Sequence, residues 1–222
     1  MHTALLAPSA SDSRASLSIA PLVCAPLEDH ILAATAEVAA RFGIARLSVG
    51  DVARQAGVSR TTLYRHFPSK DELIAMTVVR EASLILKAAW DASTAGPGGV
   101  PAVEAAFVAA LRAARAHPLL HRLLETEPEA LLPLVTGSRG PVMGQVREAV
   151  LQLLAMHLGS QDAAQLGLSV DAATRLLMSY VIAEPIESPE TIGRFLAQTL
   201  CIFLTAPMDP PQATDLATEV SR

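Results

Sequence analysis

The chain has 222 residues, 51% of them hydrophobic but only 4% aromatic, and a net charge of −5. That length holds one large domain or a small one joined to a larger one, and an apolar fraction built mostly from Ala, Leu and Val favours helices over strands. The apolar runs are broken by Pro, Gly or charge well short of the roughly 20 residues a membrane span needs, so no membrane partner is expected. The two cysteines, Cys24 and Cys201, lack metal or redox spacing and read as reduced thiols. The opening stretch MHTALLAPSASDSRASLSIAPLVCAP has no basic start, and Ser and Asp interrupt its apolar part. It reads as a disordered tail over 1–26 rather than a signal peptide, which points to a cytoplasmic protein.

Helix signals follow one another along the rest of the chain. LEDHILAATAEVAARFG places Ile31, Ala34, Thr35, Val38 and Phe42 on one stripe, with Gly43 as the stop. SVGDVARQAG begins with Ser48 as N-cap and Asp51 three residues on, a capping-box pattern, and Gly57 supplies a left-handed turn. SRTTLYRHF starts at a second cap, Ser59. SKDELIAMTVVREASLILKAAW starts at Ser69 with Glu72, and should run to about Ser93 before the break at GPGG, 96–99. Further helices are expected over about 101–116, after His117, over TEPEALLPLV with Thr126 and Glu129 as a capping box and Pro133 limiting it, over PVMGQVREAVLQLLAMHLG up to Gly159, over about 169–184, and over 188–205 with Ser188 as cap and Pro189 in the first turn. The tail from 206 should be mostly disordered. The fold class is therefore all-α.

Charge is distributed unevenly along these helices. Residues 41–70 hold six Lys/Arg and one acidic residue, whereas 81–222 hold nine Lys/Arg and fifteen Asp/Glu. A basic module on an acidic body suggests one polyanion-binding end. Within that module two short helices meet at a tight glycine turn, the layout of a helix-turn-helix. Ala53 is small where the helices cross, and Val49, Val52, Val58 and Leu63 are spaced as a small core. Arg60, Thr61, Thr62, Tyr64, Arg65 and His66 share the outer face. Arg can pair bidentately with guanine in the major groove, and Thr can touch a base edge or a thymine methyl. Tyr and Ser hydroxyls and Lys70 suit phosphates. A merely solvated helix surface is the plain alternative, but Tyr and His are unusual on one.

AGVSRTTLYRHFPSKDELI resembles the signature of the TetR family of bacterial transcriptional regulators, and RFGIARLSVGDVARQAGVS continues the match upstream. The resemblance covers about residues 28–75. It implies a homodimer with an N-terminal three-helix DNA-binding domain, 27–73, and a larger helical ligand-binding and dimerisation domain, 74–205, followed by a tail, 206–222. It also implies a recognition helix at about 60–66, with Arg60, Thr61 and Arg65 as base readers on a double-stranded operator. Ser48, Thr62, Tyr64, His66 and Lys70 become phosphate or groove-edge contacts. Gly50 stands where some members carry a base-reading side chain. The function implied is a repressor released from a pseudo-palindromic operator by a small apolar or amphipathic effector. A ligand-independent regulator or an activator of the same fold is the alternative.

The body carries no motif of similar specificity. The resemblance assigns its last two helices to the dimer, and the sequence supplies apolar stripes for it: Ile192, Phe195, Leu196, Thr199, Leu200 and Phe203 on one, Leu176, Leu177, Tyr180 and Val181 on the other. Candidate pocket residues are Trp90, Phe107, Leu111, Met143, Met156 and Met178, although a Met at helical spacing is more often plain core. His117, His121 and Glu125 recur every four residues and could in principle hold a metal; His117 precedes Pro118, so a helix cap or pocket-edge role is the better reading. No cofactor or metal is expected. With no Ser-His-Asp spacing, phosphate-cradling Gly loop or paired carboxylates, the chain does not read as an enzyme.

Overall fold

The computed structural model of the protein describes residues 25–129, 140–159, 162–183 and 185–206. Helix is the only regular secondary structure among the described residues: α1 Pro26–Phe42, α2 Val49–Gln55, α3 Arg60–His66, α4 Lys70–Thr94, α5 Val100–Arg115, α6 Pro118–Thr126, α7 Pro141–His157, α8 Ala163–Ile182 and α9 Pro189–Thr205. Short-range chemistry sets most of the boundaries. Ser48, Ser59, Ser69 and Ser188 each accept a hydrogen bond from a backbone N–H three residues on, which satisfies a donor that the first turn leaves free. Gly57 takes φ 64 at the turn between α2 and α3, where a side chain would be strained.

Three sequence expectations need correction. Helix α8 begins at Ala163 rather than about 169, because the Asp162 carboxylate caps it through the Ala164 and Gln165 N–H groups. Ser169 instead lies inside it and bonds back to the Gln165 carbonyl. Thr126 does not start a helix: it ends α6, and its hydroxyl donates to the Arg122 carbonyl. Pro128 and Glu129 are helical, and the remainder of the helix expected there, including Pro133, lies outside the described residues, as do residues 1–24, with Cys24, and 207–222. Phe42, read as part of the α1 core stripe, is exposed, with the Arg41 guanidinium 5.8 Å from its ring centre.

Helices α1–α3 form a small head around Ile31, Leu32, Val52, Leu63 and Phe67, all buried. Side chains lock its parts together. His66 Nδ1 and Glu28 Oε1 are 3.1 Å apart, Gln55 donates to Glu37 at 2.6 Å, and His30 Nε2 lies 3.1 Å from the Ala56 carbonyl oxygen. Helix α4 leaves the head without a linker and packs along α5, which in turn packs on α9. The body core is Val103, Phe107, Leu111, Leu154, Val170 and Leu196. Gln165, also buried, donates to the carbonyls of Phe203 and Ala206 and so ties the start of α8 to the end of α9.

Two polar clamps join head to body. Arg80 on α4 donates from Nε and Nη2 to the Asp29 carboxylate on α1, at 2.6 and 3.2 Å, and from Nη1 to Glu81 at 2.6 Å. Glu81 also receives the His117 Nε2–H at 2.8 Å, while His117 Nδ1 accepts the Leu120 N–H at 3.3 Å. With Nδ1 accepting from Leu120, Nε2 is the nitrogen that donates to Glu81. The second clamp sits at the other end of α6. The Glu127 carboxylate accepts the N–H groups of Ile44 and Ala45, at 2.7 and 3.2 Å, in the loop between α1 and α2. Gly43 permits it: its φ is 85, and a Cβ there would stand 2.0 Å from Glu127 Oε1.

Burial alone would raise the Glu81 pKa, but hydrogen bonds from His117 and Arg80 outweigh it and hold the carboxyl below its ordinary 4.5. Asp29 is lowered by the hydrogen bond from Arg80, partly opposed by burial. A depressed carboxyl stabilises the fold above its unfolded pKa, and that contribution is lost as pH falls through the folded value. Glu81→Gln should therefore cost about 2 kcal/mol at pH 7. The melting-temperature gap between wild type and variant should close as pH is lowered from about 5 towards 3, and thermal melts across that range would measure it.

Candidate nucleic-acid interface and body cavity

Helix α3 turns one side inward and one outward. Leu63 is buried, while Arg60, Thr61, Tyr64 and Arg65 are exposed. The exposed four fall on adjacent positions one turn apart, so they share one face. Among the residues named from sequence, these four are free of the head's core and project from one short rigid helix. The others are partly engaged. Thr62 Oγ1 lies 2.9 Å from the cap Ser59 Oγ, and His66 lies against Glu28. Ser48 Oγ accepts the Asp51 N–H and donates to the Asp51 carboxylate at 2.6 Å. Lys70 Nζ lies 3.5 Å from the Ala45 carbonyl oxygen, beside the loop that Glu127 holds. His66 thus has a structural task in joining α3 to α1, which its position in the motif did not disclose.

Electrostatics sharpen this face. Asp51 is the one acidic residue in the basic stretch, and its carboxyl is lowered by the Ser48 hydrogen bond, with Arg54 and Arg60 adding attraction. Arg54 donates to it at 2.9 Å, so Arg54 is partly neutralised. On the flank, Arg41, Arg46 and Arg54 line an open hollow with Phe42. Their charge is legible in the sequence, whereas their gathering around Phe42 is not.

A second feature lies in the body. A partly open apolar cavity of about 80 Å³ is lined by α4, α5, α6, α7 and α8. Val78, Ile85, Ala114, Leu123, Val146 and Met178 contribute to a wall that is almost wholly apolar, and Glu81 and His117 close one side. Of the pocket residues expected from sequence, Met178 lines this cavity. Trp90 and Phe107 line a smaller neighbour of about 20 Å³. Leu111 is packed in the core, Met143 is half-buried and lines neither space, and Met156 is exposed. The rest of the lining carries no sequence signal of a pocket, and it includes the whole apolar side of α6, Leu119, Leu120 and Leu123.

The stripes on α8 and α9 divide similarly. Ile192, Leu196 and Leu200 are buried against the protomer's own helices, and Leu177 faces the cavity, so these four are core. Tyr180 is half-buried. Phe195, Thr199, Ile202 and Phe203 are exposed on α9, as are Leu168 and Leu176 on α8. Among the described residues no three of His, Cys, Asp and Glu gather as a metal site. His117 has both ring nitrogens engaged, and His121 Nδ1 lies 3.1 Å from Glu125. No helix among the described residues is long and apolar enough to cross a membrane.

A trihelical head whose capped, outward-facing α3 presents Arg60 and Arg65, set on a larger helical body, defines a helix-turn-helix DNA-binding regulator. The chain belongs to the TetR family of bacterial regulatory proteins. The family's N-terminal model matches residues 31–76, and the C-terminal domain of the bacterial tetracyclin repressor matches residues 100–201. Solved structures agree in fold. The chain is similar to the TetR family repressor AlkX from Dietzia sp., implicated in biodegradation of n-alkanes, at 21% identity over 81% of this chain and 95% of that one, with a TM-score of 0.67. It is similar to the R. erythropolis repressor QsdR at 16% identity, over 84% and 98%, with a TM-score of 0.56. It also matches a TetR regulator from Rhodococcus sp. RHA1 at 23% identity, over 81% and 99%, with a TM-score of 0.51.

Arg60→Ala and Arg65→Ala should each cost about 1–3 kcal/mol of operator affinity and relax base preference at one position. Lys70→Ala should weaken all sequences alike and reduce the salt slope by about 1. Mobility shifts with an operator and its single-base variants, at several salt concentrations, separate the two kinds of loss.

Proposed function

We propose that the protein is a dimeric repressor that leaves a pseudo-palindromic operator when a small, mainly apolar molecule enters the cavity bounded by α4–α8. The observation that carries this reading is the double role of Glu81 and His117. Both border the cavity, and both belong to the bonded chain that runs through Arg80 to Asp29 on α1. Glu127, at the other end of α6, holds the loop after α1. A molecule that widens the cavity pushes on α4 and α6 together, and both helices are bonded to the head. The head then tilts, and the spacing of the two recognition helices, about 34–36 Å in a bound dimer, is lost. A ligand does this only by binding the tilted state better than the operator-bound one.

Dimerisation is supported by the apolar stripes on α8 and α9. Such patches on monomers are uncommon unless they serve an interface. Base reading is assigned to Arg60, Thr61 and Arg65, with Tyr64, Lys70, Ser48 and Thr62 on phosphate or groove edges. The cavity's wall favours an apolar molecule over a charged one, because an unpaired charge there would be desolvated. The AlkX and QsdR structures are described as repressors, which agrees with repression here.

In sedimentation at micromolar concentration the protein should run as a dimer, and Phe195→Asp with Ile202→Asp should yield a folded monomer that binds the operator at least tenfold more weakly. A wild type that sediments only as a monomer removes the operator geometry.

A panel of small apolar molecules, scored by release of operator DNA, tests the switch. Met178→Trp, which fills the cavity, should keep operator binding and lose release at least tenfold. If no molecule releases the wild type, the ligand-independent regulator becomes the reading.

A further inference from the structure

Gly50 has no backbone reason to be glycine. It is the second residue of α2 and keeps a right-handed conformation; glycine weakens a helix there relative to alanine. The reason lies across the turn, in Arg60. The Arg60 guanidinium lies close against Gly50: a Cβ at 50 would stand 2.3 Å from Nη2, 3.0 Å from Cζ and 3.1 Å from Nε. The neighbouring Asp51 carboxylate attracts it electrostatically, but that carboxylate accepts its hydrogen bonds from Ser48 Oγ and Arg54. Arg60 has no intrachain hydrogen bond or ion pair in the described residues. Its guanidinium therefore rests in the space a side chain at 50 would fill, attracted by Asp51 and with its donors still available.

A guanidinium discriminates guanine when its planar fork meets O6 and N7 together, which demands a defined plane as well as a defined charge. An arginine at the start of an exposed helix would ordinarily lose much rotamer freedom on binding. Resting on glycine, Arg60 has part of that freedom removed in advance, the general benefit of preorganisation. Its position is then set by α2 as well as by α3.

We propose that Gly50 is a specificity-determining residue: by lacking a side chain it seats the Arg60 guanidinium between α2 and α3, and so fixes which operator base pair Arg60 reads. Gly50 is a positioning residue here, acting through Arg60 and touching no base itself. The proposal rests on the sequence-specific regulator reading above and adds to it a residue with no reading chemistry of its own.

The test uses the full-length protein. An operator is enriched from a randomised duplex library, and binding to each single-base variant is measured for wild type, Gly50→Ala, Arg60→Ala, the double variant and Arg60→Lys. Gly50→Ala should melt at or above the wild-type temperature, bind the operator about tenfold more weakly, and lose base preference at the same single position as Arg60→Ala. The double variant should lose no more than Arg60→Ala alone. Arg60→Lys keeps the charge without the fork and leaves α2 untouched, so it should flatten that position too. If Gly50→Ala keeps wild-type preference there, or if its loss adds to that of Arg60→Ala, the proposal is overturned while the regulator reading stands. A wild type that enriches no sequence overturns both.

Discussion

A guanidinium that is mostly buried must find carboxylates, and Arg80 finds one on each side of the molecule's main division. Its side chain is 15% exposed, with Asp29 of the head and Glu81 beside the cavity as partners. Removing either carboxylate would leave a partly desolvated charge short of its partner, which costs far more than the intact pair contributes. The pair is therefore better understood as a constraint on arrangement than as a source of stability. It fixes how α1 lies on α4, and α4 is a single helix from the Ser69 cap to Thr94. Whatever moves α4 at the cavity moves the head, because no flexible residue separates them.

Helix α6 gives the same constraint a second anchor. It is only nine residues long, from Pro118 to Thr126, too short to be stable alone. It is held by what lies at its ends: His117 bonded to Glu81 before it, Glu127 bonded to the Ile44 and Ala45 N–H groups after it. Its apolar side, Leu119, Leu120 and Leu123, forms cavity wall. A short helix with both ends tied and one face on a void is well placed to shift as a unit. The exposed surface pairs elsewhere, such as Lys87–Asp91 and Arg175–Asp171, contribute little by comparison.

What was legible in the sequence was local. Caps at Ser48, Ser59, Ser69 and Ser188 and the turn at Gly57 follow from one residue's hydrogen-bonding or steric character, so the head could be read closely. The start of α8 was missed because Asp162 acts on N–H groups two and three residues ahead while Gly167 and Ser169 look like a later start. The split of each stripe into core and exposed positions was not legible, because Ile192 and Phe195 are equally apolar and only the packing of α5 decides between them. The clamps were illegible for a stronger reason. Glu127 meets Ile44 across 83 positions and Arg80 meets Asp29 across 51, and no periodicity encodes such pairings. His117 was half legible: Pro118 disclosed the cap, and nothing disclosed Glu81.

The size of the cavity bears on how a ligand could act at all. Moving a two-state dimer from almost fully bound to almost fully released requires about 5.5 kcal/mol of differential affinity. At about 25 cal/mol per Å², that is roughly 220 Å² of apolar contact made in the released state and not in the bound one, comparable to burying one large aromatic side chain. A cavity of about 80 Å³ is smaller than the 150 Å³ void that holds benzene, so in the arrangement seen it offers much less contact than that. A spacious preformed pocket would bind its ligand in both states and shift nothing. A tight one, walled by α4 and α6 and bordered by the residues that hold the head, reserves most of the contact for a state in which those helices have moved apart. On the proposed function, the smallness of the cavity is what would give a ligand its leverage over the operator.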